Sequence, residues 1–412
     1  MRRLRHLIPT ATLSLLLGTA ACENETLLRP AGFVPIDPLF RSYVSIGNSI
    51  TAGFQSGGIT DSVQRRAYPV LLAAQMRTPF FIPSMQDPGC PSLFINVFTQ
   101  TRLDAYPCYL RANDSIPSPY ISNVAVPGAE VMDAVYNTDT ASNANALTTF
   151  FLGGRTQWRM MARNIPSFIS VWIGNNDVLG AATNTTDAGD PQHVTPPATF
   201  AARYAEMMDS VDRVNPLGGV LIGVANVVAP ANYAGLPPTQ PAANGVPYFA
   251  YGSTYFVLDQ AAQIPGPFTA DVGCAPPRGD SVLVPFPFGG ALIQGGGTLT
   301  CLEAETIQPA ELTNLTNAVT EYNLAIADEA TIRGWLYFDP NPTLDSLRRI
   351  PTQVAFFPNF GSPAPTPCSD SPFGLAFSCD AIHPAAATHK LLANKLIQAI
   401  NGKYGTALAE IP

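Results

Sequence analysis

Five short runs of apolar, β-branched and aromatic residues constrain this chain more than anything else in it: SYVSIG (42–47), YISNVAV (120–126), FISVWIG (168–174), GVLIGVAN (219–226) and WLYFDP (335–340). A strand with one wet face alternates apolar and polar residues. These runs are almost continuously apolar, the pattern of parallel strands covered on both faces. Between them lie stretches with helical spacing at 66–77, 157–164 and 198–214, and a longer one at 308–333. The long one carries Pro309 near its first turn and apolar residues at Leu312, Leu315, Val319, Tyr322 and Ile326, the stripe of an amphipathic helix. Alternation of this kind predicts a doubly wound parallel α/β sheet, whose active residues belong at the carboxyl ends of its strands.

The rhythm breaks at 229–305, a segment rich in proline, glycine and aromatic residues (GLPPTQPAANGVPYFAYGSTYF, VPFPFGGALIQGGGTLTC). A loop this long is either functional or a small subdomain, and it reads as an insertion after the fourth strand. Its aromatics, Tyr248, Phe249, Tyr255 and Phe256 among them, suit a small core of its own, an acyl groove or a sugar-stacking surface.

The first 22 residues, MRRLRHLIPTATLSLLLGTAAC, run from three arginines through an apolar stretch to small residues ending at Cys22. This resembles a bacterial lipoprotein signal peptide, in which Cys22 is lipidated and becomes the new N-terminus. Thr19 departs from the leucine usual three positions earlier, which keeps a plain secretory signal open. The organisation expected is a signal peptide at 1–21, a Pro-containing tether at 22–40 and one body at 41–412, exported and lipid-anchored at the outer membrane. No later run is apolar and long enough to span a bilayer. Loss of the three arginines in 1–21 takes the net charge from −8 to −11, a balance that argues against a nucleic-acid partner.

Cys22 aside, six cysteines remain, an even number that suits an oxidising compartment. They fall into sequence-near couples, Cys90 with Cys108, Cys274 with Cys301 and Cys368 with Cys379; that pairing is an expectation, since six cysteines leave many connectivities open. Without a close C-x-x-C pair or clustered histidines, a zinc site is not expected.

Chemistry-bearing residues sit where those strands end. Ser49 follows the first run directly, in VSIGNSITAG; Gly128 follows the second, in NVAVPGAEV; Asn176 follows the third, in SVWIGNNDVLG, with Asp177 beside it. A serine alone there is a turn residue. A glycine lets a backbone N–H approach a ligand, and a carboxamide supplies the N–H donor that a developing oxyanion needs. Near the C-terminus, SCDAIHPAAATHKLLANKLIQAI sets Asp380 three residues before His383, with Pro384 opening an amphipathic helix. That spacing puts His383 at or beside the helix N-cap and lets Asp380 reach back to its ring. His389, on the same helix, reads as a surface residue. Two look-alikes lie in the wrong context: Ser281 in RGDSVLVPF, inside the insertion, and the Asp190–His193 pair in a Pro-rich loop.

In this order the four blocks resemble the SGNH (GDSL-type) hydrolases, over about residues 41–400. The resemblance implies a three-layer α/β/α, flavodoxin-like fold and a serine esterase or lipase acting on carboxylic esters through an acyl-serine, without metal or cofactor. It assigns Ser49 as nucleophile, His383 as general base then acid, Asp380 as its orienter, and the Ser49 N–H, Gly128 N–H and Asn176 side chain as the oxyanion hole. The family's GDS aspartate is Asn48 here, which keeps an acceptor oxygen and loses a charge. The alternative is a surface lipoprotein that uses the scaffold, catalytically weak or inactive, as a binding module.

Overall fold

In the computed structural model the described residues are 34–412, apart from 98, 106–119, 137–147, 149–150, 185, 228–246, 251–252, 257–267, 272–282, 286–287, 289–295, 303, 349, 351, 354–366 and 372. Cys22 and the signal and most of the tether lie outside them.

Four strands form the central sheet: β1 (Tyr43–Gly47), β2 (Phe168–Trp172), β3 (Gly218–Ile222) and β4 (Leu336–Phe338), in that spatial order. All neighbours are parallel, with Gly47 opposite Trp172, Phe168 opposite Gly218 and Leu336 opposite Val220. The run at 120–126 lies on the other side of β1 as an irregular fifth strand. It makes one parallel bridge, Ser45 to Asn123, and the Val126 N–H reaches the Gly47 carbonyl at 3.1 Å. The ladder stops on either side of that bridge because other partners take the donors it would need: the Gly47 N–H goes to Gln157 Oε1 at 3.0 Å and the Ser122 N–H to the Phe81 carbonyl at 2.7 Å. Counted with that run, the strand order is 2-1-3-4-5, the flavodoxin-like arrangement with its switch point between β1 and β2.

Side chains alternate across this sheet. Val44, Ile46, Ile169, Val171 and Leu221 pack one face against α3 (Gln157–Asn164), α5 (Pro197–Asp212) and α6 (Pro309–Ile332). Tyr43, Phe168, Trp172, Val220 and Ile222 pack the other against α2 (Tyr68–Met76) and α7 (Ala386–Tyr404). Both faces are therefore buried and the architecture is a three-layer α/β/α sandwich. The apolar stripe read from the longest helix is its inner face: Leu315, Val319, Tyr322 and Ile326 are buried, and a capping box between Gln308 and Glu311 starts it with Pro309 in the first turn.

The body begins before residue 41. Ile36 donates to the Met76 carbonyl at 3.1 Å, and Phe40 is fully buried with its ring edge-on to Phe168 at 5.2 Å. Within 229–305 the described residues form short strands rather than bare loop. Pro247–Ala250, Ser253–Phe256 and Val284–Pro285 make an antiparallel sheet, and Phe268–Ala270 pairs in parallel with Gly297–Leu299. Leu283 exchanges backbone hydrogen bonds with Ile307 and is buried in the main core, which fastens the end of the insertion to the base of α6.

Candidate active site

Ser49 opens a single helical turn, α1 (Ser49–Ala52), directly after β1. Asn48 caps it: Oδ1 accepts the Ile50 N–H at 3.2 Å, so the acceptor role expected of asparagine is kept, while Nδ2 is buried with no partner. Gly53 in the left-handed region (φ 86°) ends the turn, and the Phe54 N–H comes back to the Ser49 carbonyl at 2.9 Å. Ser49 itself is 9% exposed.

Gly128 lies on the neighbouring strand end. Val126 accepts from the Ala129 N–H at 3.1 Å across Pro127 and Gly128, and Gly128 has φ 81°. This is a type II turn, which puts proline second and requires φ above zero third, a position for glycine. The third part starts α4 (Asn176–Ala182) after β2. Asn176 donates one Nδ2 hydrogen to the Ala129 carbonyl at 2.8 Å, which leaves its other N–H for a ligand. Among the described residues, neither the Ser49 nor the Gly128 N–H is engaged in a hydrogen bond. Three donors thus stand at three adjacent strand ends, at the switch point.

Asp380 and His383 pair as their spacing predicts, with Nδ1 to Oδ2 at 2.8 Å. The local structure differs from a helix cap, however. Phe377 bridges Pro384 in antiparallel fashion, the Ser378 N–H binds the His383 carbonyl at 2.8 Å and Ala385 donates to Ala376 at 2.9 Å. This hairpin occupies the backbone groups that a cap would use, so α7 starts only at Ala386 with Ala385 as N-cap. His383 therefore sits on the hairpin tip, outside the reach of the helix dipole.

Asp380 is the most heavily hydrogen-bonded carboxylate in this region. Oδ1 accepts from the Ser378 hydroxyl (3.0 Å) and the amides of Ile382 (2.9 Å) and His383 (2.8 Å). Oδ2 accepts from the Gly57 amide at 2.7 Å as well as facing the imidazole. Burial alone would raise this carboxyl; the His383 charge and the hydrogen bonds from His383 and Gly57 outweigh it and hold it down at about 2. Asp380 is thus an ionised partner for the ring across the neutral pH range.

A turn outside the four sequence blocks ties this hairpin to the segment that Ser49 opens. Gln55 and Gly58 exchange backbone hydrogen bonds at 2.9 and 3.1 Å around Ser56 (φ 51°) and Gly57 (φ 70°), a type I′ turn. Its tip docks on the acid loop. The Ser56 N–H binds the Ser378 hydroxyl at 2.8 Å, the Cys379 N–H binds the Ser56 hydroxyl at 3.1 Å, and Gly57 binds Asp380. Arg102 fixes the turn from behind, donating to the Gly57 carbonyl at 2.7 Å and to the Ser92 carbonyl, with its guanidinium 3.9 Å from the Phe94 ring centroid. Between the turn and α1, the Phe54 ring packs on the His383 ring with centroids 4.9 Å apart. The SGG triplet at 56–58 is the signal that marks this turn in the sequence.

The look-alike pair Asp190–His193 also makes contact, at 3.3 Å, but the His193 side chain is 53% exposed. Ser281 lies outside the described residues. His389 contradicts its reading as a surface residue: it is fully buried, accepts the Tyr68 N–H at Nδ1 (3.3 Å) and stacks on the Tyr68 ring. It is a packed core histidine, and burial followed by the nearby His383 charge lowers it to about 3. Cys368 and Cys379 form a disulfide, as the sequence-near pairing has it. Cys90 and Cys301 are also disulfide-bonded, while Cys108 and Cys274, their expected partners, lie outside the described residues.

No family model and no curated protein matches the chain. Among solved structures it is similar to a catalytic mutant of an acetylxylan esterase from Geobacillus stearothermophilus (11% identity, 90% of this chain and 96% of that one, TM-score 0.38). It is also similar to an extracellular lipase from Streptomyces rimosus (16%, 87% and 98%, TM-score 0.34) and to a candidate SGNH hydrolase from Slackia heliotrinireducens (12%, 87% and 97%, TM-score 0.32). These are distant likenesses, and no residue role is taken from them.

Proposed function

We propose that this chain is an SGNH-type serine esterase or lipase. The observation that carries the reading is the Asp380–His383 contact, 2.8 Å long, on a hairpin fastened by Ser56 and Gly57 to the segment that Ser49 opens. Ser49 Oγ attacks the ester carbonyl carbon while His383 Nε2 takes its proton, and Asp380 holds the ring by Nδ1 and balances the imidazolium charge. The oxyanion is held by the Ser49 and Gly128 amides and the free N–H of Asn176. The C–O bond to the leaving alcohol then breaks as His383 returns its proton to that oxygen, leaving an acyl-serine. Water attacks the acyl carbon, gives a proton to His383, and the carboxylic acid leaves as Ser49 regains its hydrogen.

The proposal includes export, removal of 1–21 and lipidation at Cys22, which brings the enzyme to a membrane surface; the expected partner is an ester substrate, with neither nucleic acid nor cofactor. Short-chain esters, lysophospholipids, acyl thioesters and acetylated carbohydrates form the panel for its substrate. The decisive experiment is covalent labelling with a fluorophosphonate. Wild type and Ser281→Ala should label and turn over p-nitrophenyl esters, and Ser49→Ala should do neither. A wild-type protein that fails to label would favour the binding-module reading.

A further inference from the structure

We infer that Asp177 is a positioning residue for the oxyanion donors, clamping the loop after Gly128 to the start of α4; the inference rests on the active-site reading above. Two consecutive side chains grip that loop at two points. Asn176 donates to the Ala129 carbonyl at 2.8 Å, and Asp177 Oδ2 accepts the Val131 N–H at 3.0 Å. A donor and an acceptor acting on consecutive peptide groups fix both the height and the tilt of the segment, and with it the distance from the Gly128 N–H to the remaining N–H of Asn176. The clamp is itself braced. The Asp177 carbonyl accepts from the Thr195 N–H at 2.8 Å and from the Tyr322 hydroxyl at 3.3 Å, so α6 and the 195 segment hold the first turn of α4 in place.

The setting of this carboxyl gives the clamp a second property. Asp177 is 1% exposed and its Oδ1 is buried with no partner in hydrogen-bond geometry. Burial above all, aided by the charges of Glu130 and Asp133 and opposed by the Val131 amide and the adjacent Thr195 hydroxyl, brings it up to about 8. Glu130 and Asp133 are themselves raised by burial, with His193 opposing the shift at Glu130 and a backbone hydrogen bond from Glu130 opposing it at Asp133. Tyr322, whose hydroxyl reaches the Asp177 carbonyl, is raised by burial too. Near pH 7 Asp177 is therefore a neutral acid that grips Val131 through its carbonyl oxygen. When it ionises, a negative charge appears behind the two donors that must receive an oxyanion, and transition-state binding weakens.

The test compares Asp177→Ala and Asp177→Asn with wild type, using the full mature chain and a p-nitrophenyl ester at a temperature where thermal melting shows each folded. Removing the acceptor in Asp177→Ala should lower kcat by about tenfold or more with KM within about threefold, the signature of an interaction used in the transition state. Asparagine keeps the acceptor and cannot ionise, so Asp177→Asn should recover most of that kcat at pH 7 and lose the decline in kcat expected of wild type above about pH 8. Wild-type kcat in a folded Asp177→Ala overturns the inference. So does a decline above pH 8 that Asp177→Asn retains, a result readable even if the alanine variant does not fold. Turnover surviving in Ser49→Ala would instead sink the active-site reading, whereas loss there with normal Asp177 variants sinks only the clamp.

Discussion

The Gly57 amide and the His383 ring meet on one oxygen, Asp380 Oδ2, at 2.7 and 2.8 Å. Gly57 follows Ser49 by eight residues in the sequence, so one atom joins the segment that Ser49 opens to the His383 ring. Placement of the pair depends on a turn that only glycine suits: a Cβ on Gly57 would come within 2.1 Å of the Phe94 ring, at φ 70°. Gly57→Ala should therefore shift the turn and weaken a charge-assisted hydrogen bond worth about 1.5–3 kcal/mol. The expected result is a fall in kcat/KM of about tenfold to a hundredfold, read from ester hydrolysis, with fluorophosphonate labelling slowed in proportion. An unchanged labelling rate would show that Asp380 does not depend on Gly57.

Asn176 gives one N–H to Ala129, and the proposed mechanism uses the other on substrate. Asn176→Ala should cost on the order of 3 kcal/mol in the transition state, seen as a drop in kcat of about a hundredfold with KM little changed. A loss in kcat smaller than about tenfold would remove Asn176 from the oxyanion hole.

Acid stability follows from two groups whose titration is lowered by folding. Asp380 falls from 3.8 to about 2 and His389 from 6.5 to about 3. In both, the unfolded chain binds a proton that the folded one refuses, so stability is full above the unfolded value and declines as pH drops. His389 acts first, from about pH 6.5 down to 3, and Asp380 below about 4. Melting temperature should decline across the upper window in wild type. It should stay flatter there in His389→Gln, which keeps an acceptor for the Tyr68 amide; an equal slope in both would assign the acid sensitivity elsewhere.

The Cys368–Cys379 disulfide ends one residue before Asp380 and holds the strand of backbone that receives Ser56. Cys368→Ser should lower stability by about 2–3 kcal/mol, the scale for a short closed loop. It should also lower kcat, because the acid hairpin loses a tether. Denaturant midpoint and turnover measured on the same preparation test both; a variant with unchanged kcat would make the bond purely structural.

Much of this molecule can be read from its residues because apolar continuity is a strong signal. FISVW and GGVLI can be satisfied only where both faces are covered, and they form β2 and β3 in a parallel sheet. The helix stripe from Leu315 to Ile326 is legible for the same reason. What stays hidden depends on backbone competition and distant partners. YISNVAV looks as good a strand as the others, yet Gln157 takes the Gly47 N–H and Phe81 takes the Ser122 N–H, so its ladder with β1 is cut short. Pro384 looks like a helix start, yet the Phe377 bridge claims it. His389 carries no mark of burial, since the Tyr68 ring that covers it is more than three hundred residues away. The Asp380–His383 contact was legible because its spacing is local; its fastening to Ser56 and Gly57 was not.

The hydrogen bonds from the type I′ turn to the acid hairpin join residues 322 and 323 positions apart. A nascent or truncated chain that lacks the last tenth of its length contains the serine but neither acid nor base, and the turn near it has nothing to grip. On the function proposed above, competence to cut esters would therefore arrive last, when the C-terminal helix docks and brings acid and base to the serine's segment.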